Sequence, residues 1–163
     1  MTALDAHGWR RLIGNWATGV AVITTRGPDG EPHGCTTNAL TSLSLDPVLL
    51  LVCFDHGSRT LAAVREAGRF SVNILATGQE SVSRKFATKD HDKFDAVQTH
   101  DVDGIPVLAG TLGWVVCDVE YEVEGGDHAV VVARPVAGDT GPGDAPLIFF
   151  RSGYYEPEDI SAA

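Results

Sequence analysis

The sequence predicts a mainly β fold with short helices, arranged as a β-barrel with helical decorations. Three observations lead to this prediction. Apolar and polar residues alternate through most of the last third, turn residues separate short apolar runs along the chain, and only two or three segments have helical spacing. No internal repeat or linker divides the 163 residues, so we expect one domain over residues 1–163.

The first elements follow from spacing and turn residues. Trp9, Leu12, Ile13 and Trp16 recur at helical intervals and predict an amphipathic helix packed on the body and ended by Gly19. Residues 20–25 then predict a buried strand, and the GPDG sequence at 27–30 predicts a hairpin turn into a strand over 33–37. Two more strands are expected at 41–45 and 48–54, separated by Asp46-Pro47.

The remaining elements are two short helices and three later strands. Ser58 or Thr60 can cap a helix whose apolar positions include Leu61, Val64 and Ala67. Residues 69–75 predict a strand, 80–86 a helix and 90–104 a polar loop. Strands are then expected at 112–123, 129–136 and 147–151, with a flexible, turn-rich connection over 138–144.

Composition limits the classes of partner and compartment. The net charge of −10 argues against a nucleic-acid partner, because phosphate neutralisation dominates that affinity. No apolar run is long enough to span a bilayer, and residues 1–7 lack the order of a signal peptide, so we expect a cytoplasmic protein with no membrane association. Cys35, Cys53 and Cys117 are odd in number and widely spaced, which predicts buried free thiols.

Positive charge is concentrated in one basic segment, residues 58–93. It holds seven bases and four acids, a net +3, which leaves −13 for the rest of the chain. Its bases are Arg59, Arg65, Arg69, Arg84, Lys85, Lys89 and Lys93. Such a segment suits a small anion, for example a nucleotide phosphate, and the alternative is a solvated helical face with ordinary ion pairs.

A polar stretch lies between two apolar runs at residues 34–46 (GCTTNALTSLSLD), where six of thirteen residues are Thr, Asn or Ser. Short polar side chains beside a core suit a neutral ligand rich in hydrogen-bonding groups, and the alternative is an ordinary turn or edge strand. Other chemistries lack their motifs. No glycine-rich phosphate loop opens a helix, Cys53 and His56 lack the second ligand pair of a metal site, and Ser42 lacks a nucleophile-elbow context.

Eight short segments, in order, resemble the flavin reductase family, which has the FMN-binding split β-barrel fold of Greek-key type. They are residues 18–24, 34–39, 42–47, 58–60, 70–73, 83–87, 93–94 and 126–128. The match runs from about Trp9 to Tyr155, and the order of the segments is more specific than any one of them. The resemblance implies a homodimer that uses NADH or NADPH to reduce FMN or FAD. In many members the reduced flavin is supplied to a separate flavin-dependent monooxygenase or halogenase.

The resemblance also assigns candidate binding residues to this chain. It implies that the isoalloxazine ring contacts the adjacent strand ends at residues 37–42 and 53–54. The phosphate would contact the helix start at 58–60 and the nearby bases of the basic segment. Gly126, Asp127 and His128 would lie beside the nicotinamide. His128 is the candidate catalytic residue, which would order the nicotinamide ring for hydride transfer. The full cofactor-binding set is Thr36, Thr37, Asn38, Ala39, Ser42, Cys53, Phe54, Ser58, Arg59, Thr60, Arg84, Phe86, Ala87, Lys89, Gly126, Asp127, His128 and Tyr155.

Several alternatives stay open. A non-catalytic flavin- or haem-binding split barrel would share most of these motifs, and so would an enzyme similar to the pyridoxamine phosphate oxidases. Without the resemblance, residues 125–128 predict only a surface hairpin turn. The sequence does not distinguish FMN from FAD or NADH from NADPH. Because the printed chain ends soon after Tyr155, we expect no C-terminal extension over the flavin.

Overall fold

The structure, a computed structural model, describes residues 4–157. Its elements are three helices and twelve strands within that range. In chain order they are α1 (Ala6–Ile13), β1 (Thr18–Gly19), β2 (Ala21–Arg26), β3 (Pro32–Thr37), β4 (Leu40–Leu45), β5 (Val48–Asp55), α2 (Arg59–Ala67), β6 (Arg69–Ile74), α3 (Glu80–Ala87), β7 (Thr99–Val102), β8 (Ile105–Leu108), β9 (Gly113–Gly125), β10 (His128–Thr140), β11 (Ile148–Phe150) and β12 (Gly153–Tyr155). The expected mainly β fold with short helices is confirmed.

A seven-stranded antiparallel sheet forms the body, in the order β3-β2-β6-β9-β10-β5-β4. Its inward residues and α2 share one core, and the alternation along β5 shows how the sequence divides the two faces. Leu50, Val52 and Phe54 are buried, whereas the intervening Leu51 and Cys53 are half-buried. Leu61 and Val64 of α2 pack into the same core. Their packing fixes the position of the first turn of α2 against the sheet.

A second core joins α3 to the opposite face of β2. Phe86 packs with Val20, Val22 and Leu75. The approach of α3 to β3 is so close that a Cβ on Gly34 would lie 2.7 Å from a ring carbon of Phe86. Glycine is therefore required at position 34 for this helix to pack against this strand.

The N-terminal helix differs from the prediction. It ends at Ile13 with Gly14 as its C-cap, so Trp16 lies beyond it and Gly19 does not end it. None of its eight described residues is buried, and Trp9 and Trp16 are 51% and 73% exposed. The prediction that this helix packs on the body of the same chain is wrong. Apolar residues at helical spacing predict an apolar helix face, but they do not identify the surface that covers it.

Three other boundaries are corrected. The expected loop at 90–104 contains β7, which forms a hairpin with β8, and neither strand was predicted. The polar residues His100 and Asp101 gave β7 no strand pattern. The expected connection at 138–144 is shorter, since β10 stays paired with β9 as far as Thr140. The last expected strand ends at Phe150 because Arg151 turns to a positive φ, and Ala63 rather than Ala67 is buried on α2.

Other expectations are confirmed in part. The hairpin turn at 27–30, the Asp46-Pro47 break and the capping of α2 by Ser58 are present as predicted. The three cysteines are free thiols, but only Cys117 is fully buried. Among residues 4–157 no helix has the length and apolar character needed to cross a membrane.

Candidate active site

A cleft of about 840 Å³ opens where β3, the start of α2 and residues 86–94 meet. This volume lies in the range of small-molecule and cofactor sites. Seven of the predicted binding residues line it: Thr36, Ser58, Arg59, Thr60, Phe86, Ala87 and Lys89. Thr37 directly follows Thr36 on β3. The structure therefore brings residues from Thr36 to Lys89 together at one cleft, where they were predicted as binding residues.

The start of α2 supplies backbone donors to the cleft. Ser58 is the N-cap, and its side chain accepts a hydrogen bond from the Leu61 N–H at 3.3 Å. The N–H groups of Arg59 and Thr60 belong to the first turn, where no preceding residue of the helix can accept from them. Together with the positive end of the helix dipole, these groups suit a phosphate.

Arg59 holds the far wall of the cleft in place. Its Nη1 donates to the His91 ring, with the nearer ring nitrogen at 2.7 Å, and its Nη2 donates to the carbonyls of Lys89 and of Asp90, the latter at 3.1 Å. The guanidinium thus ties residues 89–91 to the start of α2. Its partners are carbonyls and a ring nitrogen, so its positive charge is not cancelled by a carboxylate within the part of the chain that the structure describes.

Lys93 is a buried cation in the floor of the cleft. Its Nζ donates to the carbonyls of Gly34 at 3.0 Å and of Phe86 at 3.1 Å, and the residue is only 9% exposed. Burial lowers the pKa of Lys93 and raises the pKa of the neighbouring Cys35 thiol. Neither residue was among the predicted binding residues, although Lys93 was part of the basic segment and of the resemblance. Their adjacency is a long-range contact that the sequence pattern does not contain.

The candidate ring-binding residues gather where β3 passes into β4. Thr36 donates its hydroxyl to the Ser83 carbonyl at 2.6 Å, and Asn38 donates its amide to the Thr18 hydroxyl at 3.2 Å. The Ala39 N–H donates to the Thr37 hydroxyl at 3.0 Å, and the Ala39 carbonyl accepts from the Cys53 N–H at 3.0 Å. This junction is therefore an ordered polar surface next to β5, continuous with the cleft through Thr36 and Thr37.

Eleven of the eighteen predicted binding residues lie outside the cleft lining. Seven of these belong to the strand junction (Thr37, Asn38, Ala39 and Cys53) or to the turn at 126–128, and the other four lie elsewhere. Phe54 points into the barrel core and is 3% exposed, and Ser42 is exposed on β4 at a bulge. Arg84 pairs with Glu80 at 2.6 Å on the exposed side of α3. Tyr155 is half-exposed on β12, opposite Ile148.

The Gly126-Asp127-His128 turn lies at the same end of the sheet as the start of α2. His128 is directly opposite Asp55 in the β10–β5 pairing, and Asp55 lines the cleft. The His128 Nδ1–H donates to the Asp127 carboxylate at 2.7 Å, and this bond lowers the pKa of Asp127. The left-handed φ of Gly126, +80°, closes the turn. An imidazole held by its own neighbour thus stands at the edge of the cleft.

A family comparison decides what this arrangement belongs to. The sequence model of the flavin reductase like domain matches residues 13–158, nearly the whole chain. The chain belongs to the flavin reductase like family. Among curated relatives, it is 40% identical over 93% of its length to a flavin reductase (NADH) of Kitasatospora aureofaciens, covering 81% of that protein. It is 38% identical to the reductase component of 4-nitrophenol 4-monooxygenase/4-nitrocatechol 2-monooxygenase of Rhodococcus opacus, over 94% of the chain and 83% of that relative.

The chain spans about half the length of one relative, a probable flavin reductase of Rhizobium meliloti, at 39% identity over 96% of the chain and 51% of the relative. Solved structures of flavin reductases share its fold. The flavin reductase PheA2 superposes with a TM-score of 0.87 at 32% identity, covering 95% of this chain and 99% of that one. The NADH:FAD oxidoreductase SgcE6 of Streptomyces globisporus, in complex with NAD and FAD fragments, superposes with the same TM-score at 30% identity, covering 95% and 96%. The predicted split-barrel fold is thereby confirmed for this member of the flavin reductase like family.

Proposed function

We propose that this chain is an NAD(P)H:flavin oxidoreductase, which transfers hydride from NADH or NADPH to FMN or FAD. The observation that carries the proposal is the family match over residues 13–158, supported by relatives named as flavin reductases. The cleft fits a flavin nucleotide by its donor set. An open helix start, two hydroxyls and Lys89 lie on one side, and a polar strand junction lies on the other.

The residues act by binding and orientation. A bound flavin supplies the hydride-accepting ring, so the protein needs no nucleophile of its own. The first turn of α2 and Lys89 bind the phosphate, while Arg59 keeps residues 89–91 against that turn. The junction around Asn38 and Ala39 offers hydrogen bonds to the polar edge of the ring, and His128 orders the nicotinamide at the edge of the cleft.

We also propose that the protein is a homodimer. The support is exposed apolar surface on a single chain. Trp9, Leu12 and Ile13 form an uncovered face of α1, and Leu45 and Val48 are exposed at the β4–β5 turn. A second copy would remove these side chains from water. Sedimentation at micromolar concentration should give twice the mass of one chain, and a mass of one chain would contradict the proposal.

We propose a partner oxygenase that consumes the reduced flavin. The support is that several relatives and structural neighbours are named as reductase components of two-component monooxygenases or of a halogenase. The alternative of a non-catalytic flavin- or haem-binding barrel has no such support among these relatives.

Catalysis is tested by following the absorbance of reduced nicotinamide. We expect NADH or NADPH to be oxidised only when both the protein and FMN or FAD are present. Oxidation at the same rate without protein would contradict the proposal. Comparing the two nicotinamides and the two flavins in this assay also determines which pair the protein uses.

A further inference from the structure

Most of the arginines in this chain are neutralised by a carboxylate, and the exceptions lie at two pockets. Of nine arginines, five form ion pairs with an Asp or Glu: Arg26, Arg65, Arg69, Arg84 and Arg134. The other four have no carboxylate within 4.0 Å among residues 4–157. One of these is Arg59, at the cleft described above, and the other three are Arg10, Arg11 and Arg151.

Arg10, Arg11 and Arg151 line one pocket of about 600 Å³ between α1 and the turn after β11, which we call the arginine pocket. His7, Asn15 and Ser152 complete its polar lining, and no Asp or Glu of the described chain lines it. On a protein of net charge −10, three arginines therefore line a single cavity that has no carboxylate in its lining among residues 4–157.

Hydrogen bonds orient the guanidinium of Arg151 without neutralising its charge. Asn15 Oδ1 accepts from its Nε at 2.9 Å and from its Nη2 at 2.7 Å. Asn15 is itself fixed, because its Nδ2 donates to the carbonyls of Arg11 at 2.9 Å and Leu12 at 3.1 Å. An amide oxygen orients a guanidinium as a carboxylate would but leaves the whole positive charge available.

The backbone under this group adopts an uncommon conformation. Arg151 and Ser152 have φ of +47° and +64°, a region that non-glycine residues rarely occupy. The Arg151 N–H donates to the Gly14 carbonyl at 2.9 Å, so the turn is joined to the C-terminal end of α1. This connection brings residues from opposite ends of the chain to one cavity.

We propose that the arginine pocket binds a phosphorylated anion of the size of pyrophosphate or a nucleoside diphosphate. Guanidinium groups suit the oxygens of adjacent phosphoryl groups, because Arg10 and Arg11 can each donate two parallel hydrogen bonds and the Nη1 of Arg151 is not used by Asn15. An anion would also relieve the mutual repulsion of the three charges. The cavity is larger than one phosphate requires, which fits two phosphoryl groups or a nucleotide. It shares no lining residue with the flavin cleft, so the inference stands independently of the proposed function.

The test is a calorimetric titration of FMN-saturated protein with pyrophosphate at constant ionic strength. We expect saturable binding of one anion per chain, weakened at least about tenfold by Arg151→Gln and by Arg10→Gln. Arg134→Gln is the matched control, since it removes an exposed arginine that is paired with Glu120, and it should leave the affinity unchanged. No saturable binding at millimolar pyrophosphate, or an equal loss in the control, would overturn the proposal.

Two further arms separate folding effects and the source of the anion. Arg10 is exposed on α1, so Arg10→Gln keeps the Asn15–Arg151 contact and reports on charge even if Arg151→Gln unfolds the turn. ADP binding more tightly than pyrophosphate identifies a nucleotide as the ligand, and equal affinity identifies the phosphoryl groups alone. Equal binding of sulfate, or loss of pyrophosphate binding when NADH is added, would contradict a separate phosphate site.

Discussion

Arg59 and Arg84 show what a single side chain contributes to the cleft. Both belong to the basic segment, and the sequence assigned both to the phosphate. The structure places Arg59 at the cleft with carbonyl partners, and it places Arg84 on the outer side of α3 in an ion pair with Glu80. The basic segment thus contains both a cleft-lining arginine without a carboxylate partner among residues 4–157 and an exposed arginine in an ordinary ion pair.

Replacing these two arginines gives a matched pair of variants. Arg59→Ala should release residues 89–91 and remove positive charge, so FMN affinity should fall about tenfold or more while riboflavin affinity changes little. Arg84→Ala should leave both affinities unchanged, because its ion pair is exposed and remote from the cleft. Fluorescence titration with each ligand checks this. Equal affinity of the unmodified protein for FMN and riboflavin would contradict the phosphate assignment.

We expect the buried Lys93 to make the stability of the protein depend on pH in the alkaline range. Burial lowers its pKa in the folded state below that of the unfolded chain, so folding releases protons between the two pKa values. Below the pKa of Lys93 in the folded state, the protein bears the full free-energy cost of burying the charged ammonium. This cost disappears as the pH rises towards the pKa of lysine in the unfolded chain, about 10.4. We expect the free energy of unfolding to contain a rising contribution over this window.

Lys93→Met should abolish that contribution and should destabilise the protein by about 1–3 kcal/mol near neutrality, because the Gly34 and Phe86 carbonyls lose their donor. Urea unfolding at a series of pH values measures both effects. Lys85→Met on α3 is the control and should retain the pH dependence of the unmodified protein. A pH profile of Lys93→Met that parallels the unmodified protein would show that Lys93 is not its source.

His128→Ala tests the nicotinamide assignment. Since the imidazole lies at the edge of the cleft and not on its phosphate side, the variant should bind FMN normally but reduce it about tenfold more slowly. His100→Ala, on β7 away from the cleft, should behave as the unmodified protein. Rapid-mixing kinetics at saturating NADH give the rate. Loss of flavin affinity with unchanged hydride transfer would assign His128 to the flavin instead.

At the scale of elements, α3 can pack closely against β3 because Gly34 has no side chain. The ring of Phe86 lies where a side chain on Gly34 would stand, and Lys93 bonds to carbonyls of both residues. The C-terminal end of α3, with Phe86 and Ala87, is the wall of the cleft that faces α2.

Gly34→Ala should therefore displace α3 and destabilise the protein by about 1–3 kcal/mol through overpacking. It should weaken FMN binding as well, because Phe86 and Ala87 move with the helix. Gly30→Ala is unsuitable as a control because of its positive φ, whereas Gly19→Ala has open space around its Cβ and should change neither property. Denaturant midpoints and FMN titrations of the two variants measure the difference.

The elements that could be predicted are those whose signals are local. The strands β2 to β6 and helices α2 and α3 follow from alternation, turn residues and the Ser58 cap. The strand β7 was missed because its residues are mostly polar. Its partner β8 is apolar and buried, with Ile105 and Val107 packed against Val116, but it is only four residues long and was missed as well. The end of α1 was misplaced because Trp16 continues its periodicity after Gly14 has capped it.

At the scale of the whole molecule, the candidate site could be predicted where residues contribute by type and order. The start of α2, Thr36 and the Gly126–His128 turn came from motifs in the expected sequence. Cys35 and Lys93 lie within matching segments, but those segments do not show that either residue, or His91, reaches the cleft, because that depends on the long-range packing of β3, α3 and the following loop. The inward position of Phe54 likewise depends on which face of β5 meets the core.

Hydride transfer to a flavin held in this cleft is the step on which the proposed function depends. The most direct measurement mixes FMN-saturated protein with NADH, or with NADPH, in the absence of oxygen and follows the absorbance of the oxidised flavin. We predict that the absorbance disappears at a rate that saturates with the nicotinamide concentration and that this rate is lower in His128→Ala. A protein that binds FMN but leaves its absorbance unchanged with either nicotinamide would contradict it and would support a non-catalytic flavin-binding barrel.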